Sequence, residues 1–165
     1  MKKIIFLVVL TSLIQIVTTK AQDEKFKALF IYNFTKLIDW PEDYKSGDFV
    51  ITVFGDSPMV AELEQIAQKK TVINQKIAVT KAAGTADIGK CHMVYISPAK
   101  SGEIPGIISH LNGKPTIILS DLPGSATADI NFIKDGDIKF EIFKKNIEKA
   151  GLKVSSDLYS LGIEK

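Results

Sequence analysis

The feature that most constrains the fold is a series of short apolar segments of strand length, each closed by turn residues. The first is DFVITVF at residues 48–54, followed by Gly55-Asp56-Ser57-Pro58. Ser57 is a favourable helix N-cap and Pro58 fits the first helical position, so a strand, a turn and a helix over 59–69 are predicted in succession. Further strands are predicted at residues 76–80, 91–97 and 116–120, the last of them apolar almost throughout, as in strands covered on both faces.

Helical patterns alternate with these strands, at residues 24–39 and 104–112. Towards the C-terminus, apolar segments at 130–134 and 138–143 flank Asp135-Gly136-Asp137, which predicts a hairpin with Gly at the turn. A short helix over 146–152 and an apolar tail over 154–162 follow. The chain is therefore predicted to be an α/β protein with a mostly parallel central sheet, helices on both faces and a C-terminal antiparallel hairpin.

The first helix has a clear apolar face by its spacing. Its predicted buried positions are Phe26, Leu29, Phe30, Asn33, Phe34, Leu37 and Trp40. Asn33 falls within that face, so a buried hydrogen-bond partner is expected for it, a neighbouring backbone group rather than a ligand. Tyr32 lies on the opposite, outward side. Trp40-Pro41 is expected to end the helix, because the residue before Pro is disfavoured in the α region.

The N-terminus resembles a secretory signal peptide. Met1-Lys2-Lys3 is basic, residues 4–17 are almost unbroken apolar sequence, and small residues precede a cleavage site after Ala21. The alternative is an uncleaved membrane anchor, although the apolar run is shorter than the roughly 20 residues that span a bilayer. Residues 22–165 are then predicted to form one exported domain, with no repeat or linker inside it.

Charge and cysteine content exclude two further classes. Removal of Lys2, Lys3 and Lys20 with the signal leaves 18 Lys against 19 acidic residues, so no nucleic-acid surface is expected. The single cysteine, Cys91, cannot form an intrachain disulfide, so the domain depends on its hydrophobic core.

Residues 84–91, GTADIGKC, come within one residue of a phosphate-binding loop. Cys91 occupies the position of the Ser or Thr that would bind magnesium. A true phosphate loop follows a strand and opens a helix, whereas Lys90 is followed at once by the predicted strand CHMVYIS. Nucleotide binding at this loop is therefore not expected.

No catalytic or metal-binding arrangement stands out. His92 lies in a predicted strand and His110 late in a helix, and neither has a second ligand at metal-binding spacing. The serines that follow strands lack the G-x-S-x-G elbow. Cys91 could be a nucleophile, but a free cysteine at the start of an apolar strand is more often a small buried hydrophobe. We therefore expect a protein that is not an enzyme and that has no cofactor.

Three polar turns follow strands of the predicted sheet. They contain Gly55-Asp56-Ser57, Ser97-Pro98 and Ser120-Asp121, which would converge beyond the carboxyl ends of parallel strands. Asp56, Ser57 and Asp121 are thus a possible ligand pocket. The alternative is that they serve as turn and capping residues, for which Asp and Ser are locally favoured.

Five segments together resemble the YfiR family of exported regulators. They are YNFTKLIDWP (32–41), ITVFGDSP (51–58), CHMVYIS (91–97), ILSDLPG (118–124) and IKFEIFKKNIEKAGLKVSSDLYSLG (138–162). The resemblance implies a Rossmann-like or receiver-like α/β sandwich without catalytic activity. It also implies a periplasmic repressor that binds the external domain of an inner-membrane diguanylate cyclase and restrains cyclic-di-GMP synthesis. Relatives also occur beside sensor histidine kinases.

The resemblance leads to one hypothesis on function and leaves one alternative. The hypothesis is a non-enzymatic periplasmic regulator that represses a membrane-bound cyclase or kinase, with Tyr32 and Tyr159 as possible partner-binding residues and a homodimer as a possible assembly. The alternative is a periplasmic module that binds a small ligand. Characterised relatives carry disulfide-bonded cysteine pairs, whereas this chain has Cys91 alone, so redox control does not transfer.

Overall fold

The computed structural model describes residues 21–165 and places them in one mixed α/β structure; the predicted signal peptide lies almost wholly outside the described residues. The first half contains α1 (21–34), β1 (Ile38–Asp39), β2 (Phe49–Phe54), α2 (Met59–Ala67), β3 (Thr71–Val72), β4 (Gln75–Ala82) and β5 (Met93–Ile96). The second half contains α3 (Ile104–Leu111), β6 (Ile117–Ser120), β7 (Ile130–Asp135), β8 (Asp137–Ile142), α4 (Lys144–Lys149), β9 (Lys153–Val154), α5 (Ser156–Leu161) and β10 (Ile163–Glu164). Three short 3-10 helices connect them, at Glu42–Tyr44, Thr85–Asp87 and Pro98–Glu103.

Eight strands form the main sheet, in the order β10-β8-β7-β6-β5-β2-β4-β3. The five central strands from β7 to β4 are parallel to one another. At one edge β7 and β8 form the predicted antiparallel hairpin, with Gly136 at φ +72° in its turn. The mixed sheet with a C-terminal hairpin is therefore confirmed.

Helices cover both faces of this sheet. Alternate side chains of a buried strand therefore pack in two different hydrophobic clusters. Met93 and Tyr95 of β5 belong to a cluster with α1, α2, α4 and α5, whereas Val94 and Ile96 pack with α3. Aromatic contacts join α1 to the hairpin beneath it. The ring of Phe34 on α1 lies 4.8 Å from that of Phe140 on β8 and 6.2 Å from that of Phe132 on β7. These contacts hold α1 across the hairpin.

The predicted length of the first helix is wrong by five residues. The helix ends at residue 34, and residues 38–39 form β1, which pairs antiparallel with β9 near the end of the chain. Ile38 and Trp40 are buried and Asp39 is exposed, so this segment alternates with the period of a strand. A distant strand supplies the backbone partners that a longer helix would have supplied locally.

The predicted buried face of the first helix is confirmed for Phe34 and Trp40 and wrong for Phe26, Leu29 and Asn33. The helix buries Lys27, Ala28, Ile31 and Phe34, whereas Phe26 and Leu29 are 46 % and 42 % exposed. Asn33 is exposed as well, so it needs no buried partner. The helix is turned so that Lys27 meets the carboxylate of Asp121, which follows β6, while Glu24 of the same helix provides a second carboxylate.

Candidate functional site

A buried polar cluster lies at the carboxyl edge of the parallel strands, where ligand sites of open α/β sheets are found. Lys27 of α1 reaches across this edge, and its Nζ lies 2.5 Å from Oδ2 of Asp121, the residue that follows β6. The same ammonium lies 2.9 Å from Oε1 of Glu24, one turn earlier on α1. The Tyr95 hydroxyl, from the end of β5, donates to Asp121 Oδ2 at 3.0 Å. We refer to Glu24, Lys27, Tyr95 and Asp121 as the carboxyl-edge cluster.

Burial sets the proton equilibria of this cluster. It raises the pKa of Glu24, and the hydrogen bond and charge of Lys27 offset only part of that shift. Burial also disfavours the charged form of Lys27, but hydrogen bonds to Asp121 and Glu24 outweigh it and raise the pKa of this ammonium. The pKa of Tyr95 is raised far above its ordinary value by burial and by the Asp121 carboxylate. Tyr95 therefore remains a neutral donor and Lys27 remains a cation.

The cluster has unused hydrogen-bonding capacity. Glu24 Oε2 and Asp121 Oδ1 are buried and have no hydrogen-bond partner among the described residues, and the same holds for Ser97 Oγ. A cavity of about 260 Å³ borders the cluster and is lined by Lys27, Asp121 and Lys134, among others. Of the two carboxylates, only that of Asp121 lines this cavity, so a hydrogen-bond donor bound there could satisfy the free oxygen of Asp121.

The structure brings together two of the three residues of the predicted ligand pocket. Asp121 lies in the carboxyl-edge cluster. Ser57 caps α2, since its Oγ accepts from the Met59 amide at 3.1 Å, and its hydroxyl also lies beside the Tyr95 hydroxyl. Asp56 is exposed and has no polar side-chain partner in the part of the chain that the structure describes. The geometry thus brings Asp121 and Ser57 together around Tyr95 and leaves Asp56 at the surface.

Sequence reasoning missed Lys27 and Glu24. One signal was available: Lys27 shares its helical face with Ile31 and Phe34, and a lysine on an apolar face requires an opposite charge. The sequence does not show which residue supplies that charge, because Asp121 lies 94 residues further along the chain.

The two predicted partner-binding tyrosines lie on elements that β1 and β9 tie together. Both rings are partly buried against the main hydrophobic cluster. The ammonium of Lys36 lies 4.4 Å from the ring centre of Tyr32, and that of Lys144 lies 5.1 Å from the ring centre of Tyr159. Each tyrosine is thus half-buried with a lysine ammonium over its ring, which fits either a packing role or a contact with a partner.

Larger apolar surface lies next to these tyrosines. Phe26 and Leu29 project from α1, and Leu161 and Ile163 near the C-terminus are 67 % and 43 % exposed. The ring of Phe140 links the two regions. Phe30 packs against it at 5.3 Å, and a Cβ placed on Gly162 would lie 2.5 Å from its Cε2 atom.

The GTADIGKC segment forms a structural loop. Asp87 Oδ2 accepts from the Gly84 amide at 2.9 Å, a hydrogen bond across the 3-10 turn at Thr85–Asp87. The next element is β5 instead of a helix. Cys91 is 1 % exposed, and burial raises the pKa of its thiol, which disfavours the nucleophilic thiolate. Lys90 Nζ donates to the backbone oxygen of Asp43 at 2.6 Å. No phosphate-binding geometry is present at these residues.

Both histidines are held by backbone groups. His92 Nδ1 accepts from the Val50 amide at 3.0 Å, so its Nε2–H donates to Tyr44 O at 2.8 Å. Burial lowers the pKa of His92 and keeps the ring neutral. His110 Nε2 lies 2.9 Å from Ile88 O. Within residues 21–165, no three His, Cys, Asp or Glu side chains come close enough to hold a metal ion.

Comparison with known proteins adds a family. A family model described as YfiR/HmsC-like matches residues 24–162, which is nearly all of the described chain. No curated protein matches the sequence. Among the described residues no helix has the length and apolar character needed to cross a bilayer.

Proposed function

Because the chain belongs to the YfiR/HmsC-like family, we propose that it is an exported, non-enzymatic regulator that binds and represses a membrane-bound signalling protein. The proposed partner is the external domain of an inner-membrane diguanylate cyclase or sensor histidine kinase. The two proteins would meet in the periplasm after a signal peptide is removed at Ala21, and the regulator would act as a monomer or a homodimer.

One observation carries the proposal of a protein partner: α1 presents large apolar side chains to solvent. Phe26 and Leu29 are each more than two-fifths exposed, although the sheet beneath α1 offers an apolar surface. Exposed apolar groups of this size mark protein contact sites when they are grouped on one element. Tyr32 on the same helix and Tyr159 on α5 extend this surface with residues that are enriched at interfaces.

Genetic complementation tests the proposal. The gene is deleted, and cyclic-di-GMP and kinase-dependent transcription are measured with the wild-type chain or with Phe26→Ser/Leu29→Ser supplied in trans. We expect deletion to raise one of these outputs, the wild type to restore it, and the double variant to fail. Periplasmic levels of each variant are followed by immunoblot, so that loss of repression is separated from loss of protein.

Ile73 provides a matched control. It is 84 % exposed in the turn between β3 and β4, at the opposite edge of the sheet from the β7–β8 hairpin that α1 covers. Ile73→Ser removes an exposed apolar side chain of similar size away from the proposed contact, and it should repress like the wild type. If deletion leaves both outputs unchanged, or if the two serine variants behave alike, the proposal of a contact through α1 is wrong.

The strand order supports a receiver-like architecture as part of this proposal. The parallel strands run β4-β2-β5-β6-β7, which is the order 2-1-3-4-5 found in flavodoxin-like sheets. Two connections depart from that pattern, because β4 to β5 and β6 to β7 are joined without an α-helix. A receiver-like sandwich that serves for binding agrees with the proposed non-enzymatic role.

A second candidate function is the sensing of a small ligand at the carboxyl-edge cluster. The unpartnered oxygen of Asp121, a residue that lines the cavity, favours a ligand with a hydrogen-bond donor, and Glu24 in the same cluster has a second unpartnered oxygen. Thermal unfolding in the presence of metabolites and cell-wall fragments tests it, since a ligand at about 100 times its dissociation constant stabilises by about 2.7 kcal/mol. A stabilising ligand should lose its effect in Asp121→Asn. Asp56→Asn reports whether the exposed carboxylate takes part, and the absence of any stabilising compound would favour a purely protein-binding role.

A further inference from the structure

A second cavity, of about 300 Å³, lies beside the amino ends of β6 and β7. It is at the opposite edge of the sheet from the carboxyl-edge cluster. Ile108 and Leu111 of α3 form one wall, and Ala150 at the end of α4 lies on the other. Pockets for small molecules begin at about 300 Å³ and combine apolar walls with a few polar groups. This cavity is therefore large enough for one small organic molecule.

Asp129 is the most buried ionisable residue in its lining, with 6 % of the residue exposed. Its Oδ2 accepts from the Ile118 amide at 2.6 Å, and no donor in residues 21–165 reaches Oδ1. Burial raises the pKa of this carboxyl to about 7, so both protonation states are populated near neutral pH. A hydroxyl group suits both states, because it donates to a carboxylate and accepts from a carboxylic acid.

Two lysines, Lys114 and Lys149, lie in the same lining. Among the described residues neither ammonium has a carboxylate oxygen within 4.0 Å, and Asp129 forms no ion pair with any lysine. The nearest polar side chain to Lys114 Nζ is His110 Nε2 at 3.4 Å, and the shorter contact of that nitrogen is with Ile88 O. Both cations thus remain available for an anionic group, at a distance from Asp129.

The side-chain amide of Asn146 already donates hydrogen bonds to two backbone oxygens. Its Nδ2 donates to Ala126 O at 2.9 Å and to Ala128 O at 3.0 Å, which fixes the loop before β7 against α4. The cavity wall is therefore held in place without a ligand, and the ionisable groups of the lining are Asp129 and the two lysines.

We propose that this cavity binds a small organic anion of the hydroxy-acid type. The anionic group lies against Lys114 and Lys149, an apolar body packs between α3 and Ala150, and a hydroxyl group contacts Asp129. The site lies away from both α1 and the carboxyl-edge cluster, so it can be tested separately from the proposed function.

Calorimetric titration of the purified chain with 4-hydroxyphenylacetate tests this site, because that probe has an anionic group and a hydroxyl group at opposite ends of a flat apolar ring. We expect saturable binding at one site. Phenylacetate lacks the hydroxyl, and 4-(2-hydroxyethyl)phenol lacks the charge. Each should bind at least about tenfold more weakly, which corresponds to about 1.4 kcal/mol.

Variants assign the binding to this cavity. Lys114→Gln/Lys149→Gln should weaken 4-hydroxyphenylacetate at least fivefold, whereas Lys69→Gln, at an exposed position just after α2, should leave its affinity unchanged. Asp129→Ala, which removes both oxygens, should weaken 4-hydroxyphenylacetate without weakening phenylacetate. Lys149 is exposed and Lys114 is half-buried, so the lysine variants keep the test valid if Asp129→Ala fails to fold. The absence of saturable binding by 4-hydroxyphenylacetate, or equal affinity in the double variant and Lys69→Gln, would overturn the proposal.

Discussion

Replacement of Lys27 by Met should cost this protein a large part of its folding free energy. The substitution keeps the length and apolar stem of the side chain and removes only the ammonium. Two carboxylates, those of Glu24 and Asp121, then remain at the carboxyl edge with 16 % exposure each and without their cation. Removal of one partner from a buried ion pair costs about 3–5 kcal/mol, because the remaining charge is left desolvated.

The lower end of that range applies here, because residual solvent contact screens both carboxylates. A loss of about 3 kcal/mol compares with a total stability of about 5–15 kcal/mol for a domain. With a urea m-value of about 2 kcal/mol per molar, the unfolding midpoint should fall by about 1.5 M. The matched control is Lys25→Met on the exposed side of the same helix, which should change stability by no more than about 0.5 kcal/mol.

The pH dependence separates this mechanism from a packing defect. The pKa of Lys27 is raised in the folded protein, so its contribution is complete at every pH below the ordinary lysine pKa and is lost only above it. In Lys27→Met the unpaired carboxyls should take up protons more readily than in the unfolded chain, so the variant should recover stability as pH falls from 7 to 4. Lys27→Met/Asp121→Asn should likewise be more stable than Lys27→Met. Equal stability of Lys27→Met and Lys25→Met, or a loss that does not change with pH, would refute the reasoning.

Four further substitutions have defined outcomes. Burial opposes the charge of Glu141, but the Gly124 amide and the Lys165 ammonium outweigh it and lower the pKa of this carboxyl. Its stabilising contribution is complete above the ordinary pKa of 4.5 and is lost as pH falls through the lower pKa of the folded protein. Glu141→Gln should therefore cost about 1–2 kcal/mol at pH 7 and progressively less as pH falls below 4.5, by urea unfolding across this pH range. Ile73 has φ +52° at the first position of a two-residue turn and is almost fully exposed, so Ile73→Gly should stabilise by about 0.5–1 kcal/mol in thermal unfolding; a loss would mean that the strain is absent. Gly162→Ala forces a Cβ to within 2.8 Å of Phe140 and Ile142 and should cost about 1–3 kcal/mol of stability. Gly106→Ala, in open space on α3, should instead stabilise by about 0.5–1 kcal/mol. Equal effects of these two substitutions would contradict the packing described at Gly162.

The sheet could be predicted because its strands carry their own signals. Residues 49–54, 117–120 and 130–142 have apolar, β-branched sequences of strand length between turn residues, and the structure places strands at each of them. Gly136 marks the hairpin turn, and Ser57 with Pro58 marks the start of α2, because these residues favour their conformations whatever the rest of the chain does.

The pairing of the short strands and the buried face of α1 could not be predicted in the same way. The short strands β1, β9 and β10 contain two residues each, so their existence depends on a neighbour brought in by the fold. Ile38 pairs with Val154, a residue more than a hundred positions away, and no local pattern indicates that bond. The apolar residues in and next to β1 continue the helical spacing of the apolar residues of α1. The sequence pattern of residues 26–40 therefore looked like one helix.

The candidate site shows the same division. The sequence located Asp121 and Ser57 at the carboxyl edge, because polar turns after parallel strands meet there in any sheet of this kind. It did not indicate Lys27, Glu24 or Tyr95 as their neighbours. Those contacts depend on the angle at which α1 crosses the sheet, which is a property of the whole packed structure.

The sequence by itself therefore determined the order of the longer strands and of α1 to α4, the hairpin turn at Gly136, and the lack of a nucleotide loop in GTADIGKC, since each depends on conformational preferences within a few residues. The tertiary structure alone decided which face of α1 is buried. Hydrophobicity ranked Phe26 and Leu29 above Lys27 for burial, but the ammonium gains two carboxylates and a place in the core, so the apolar side chains are left at the surface. A local pattern measures how much a side chain avoids water, whereas the choice of face depends also on the charges that the rest of the chain places beneath it.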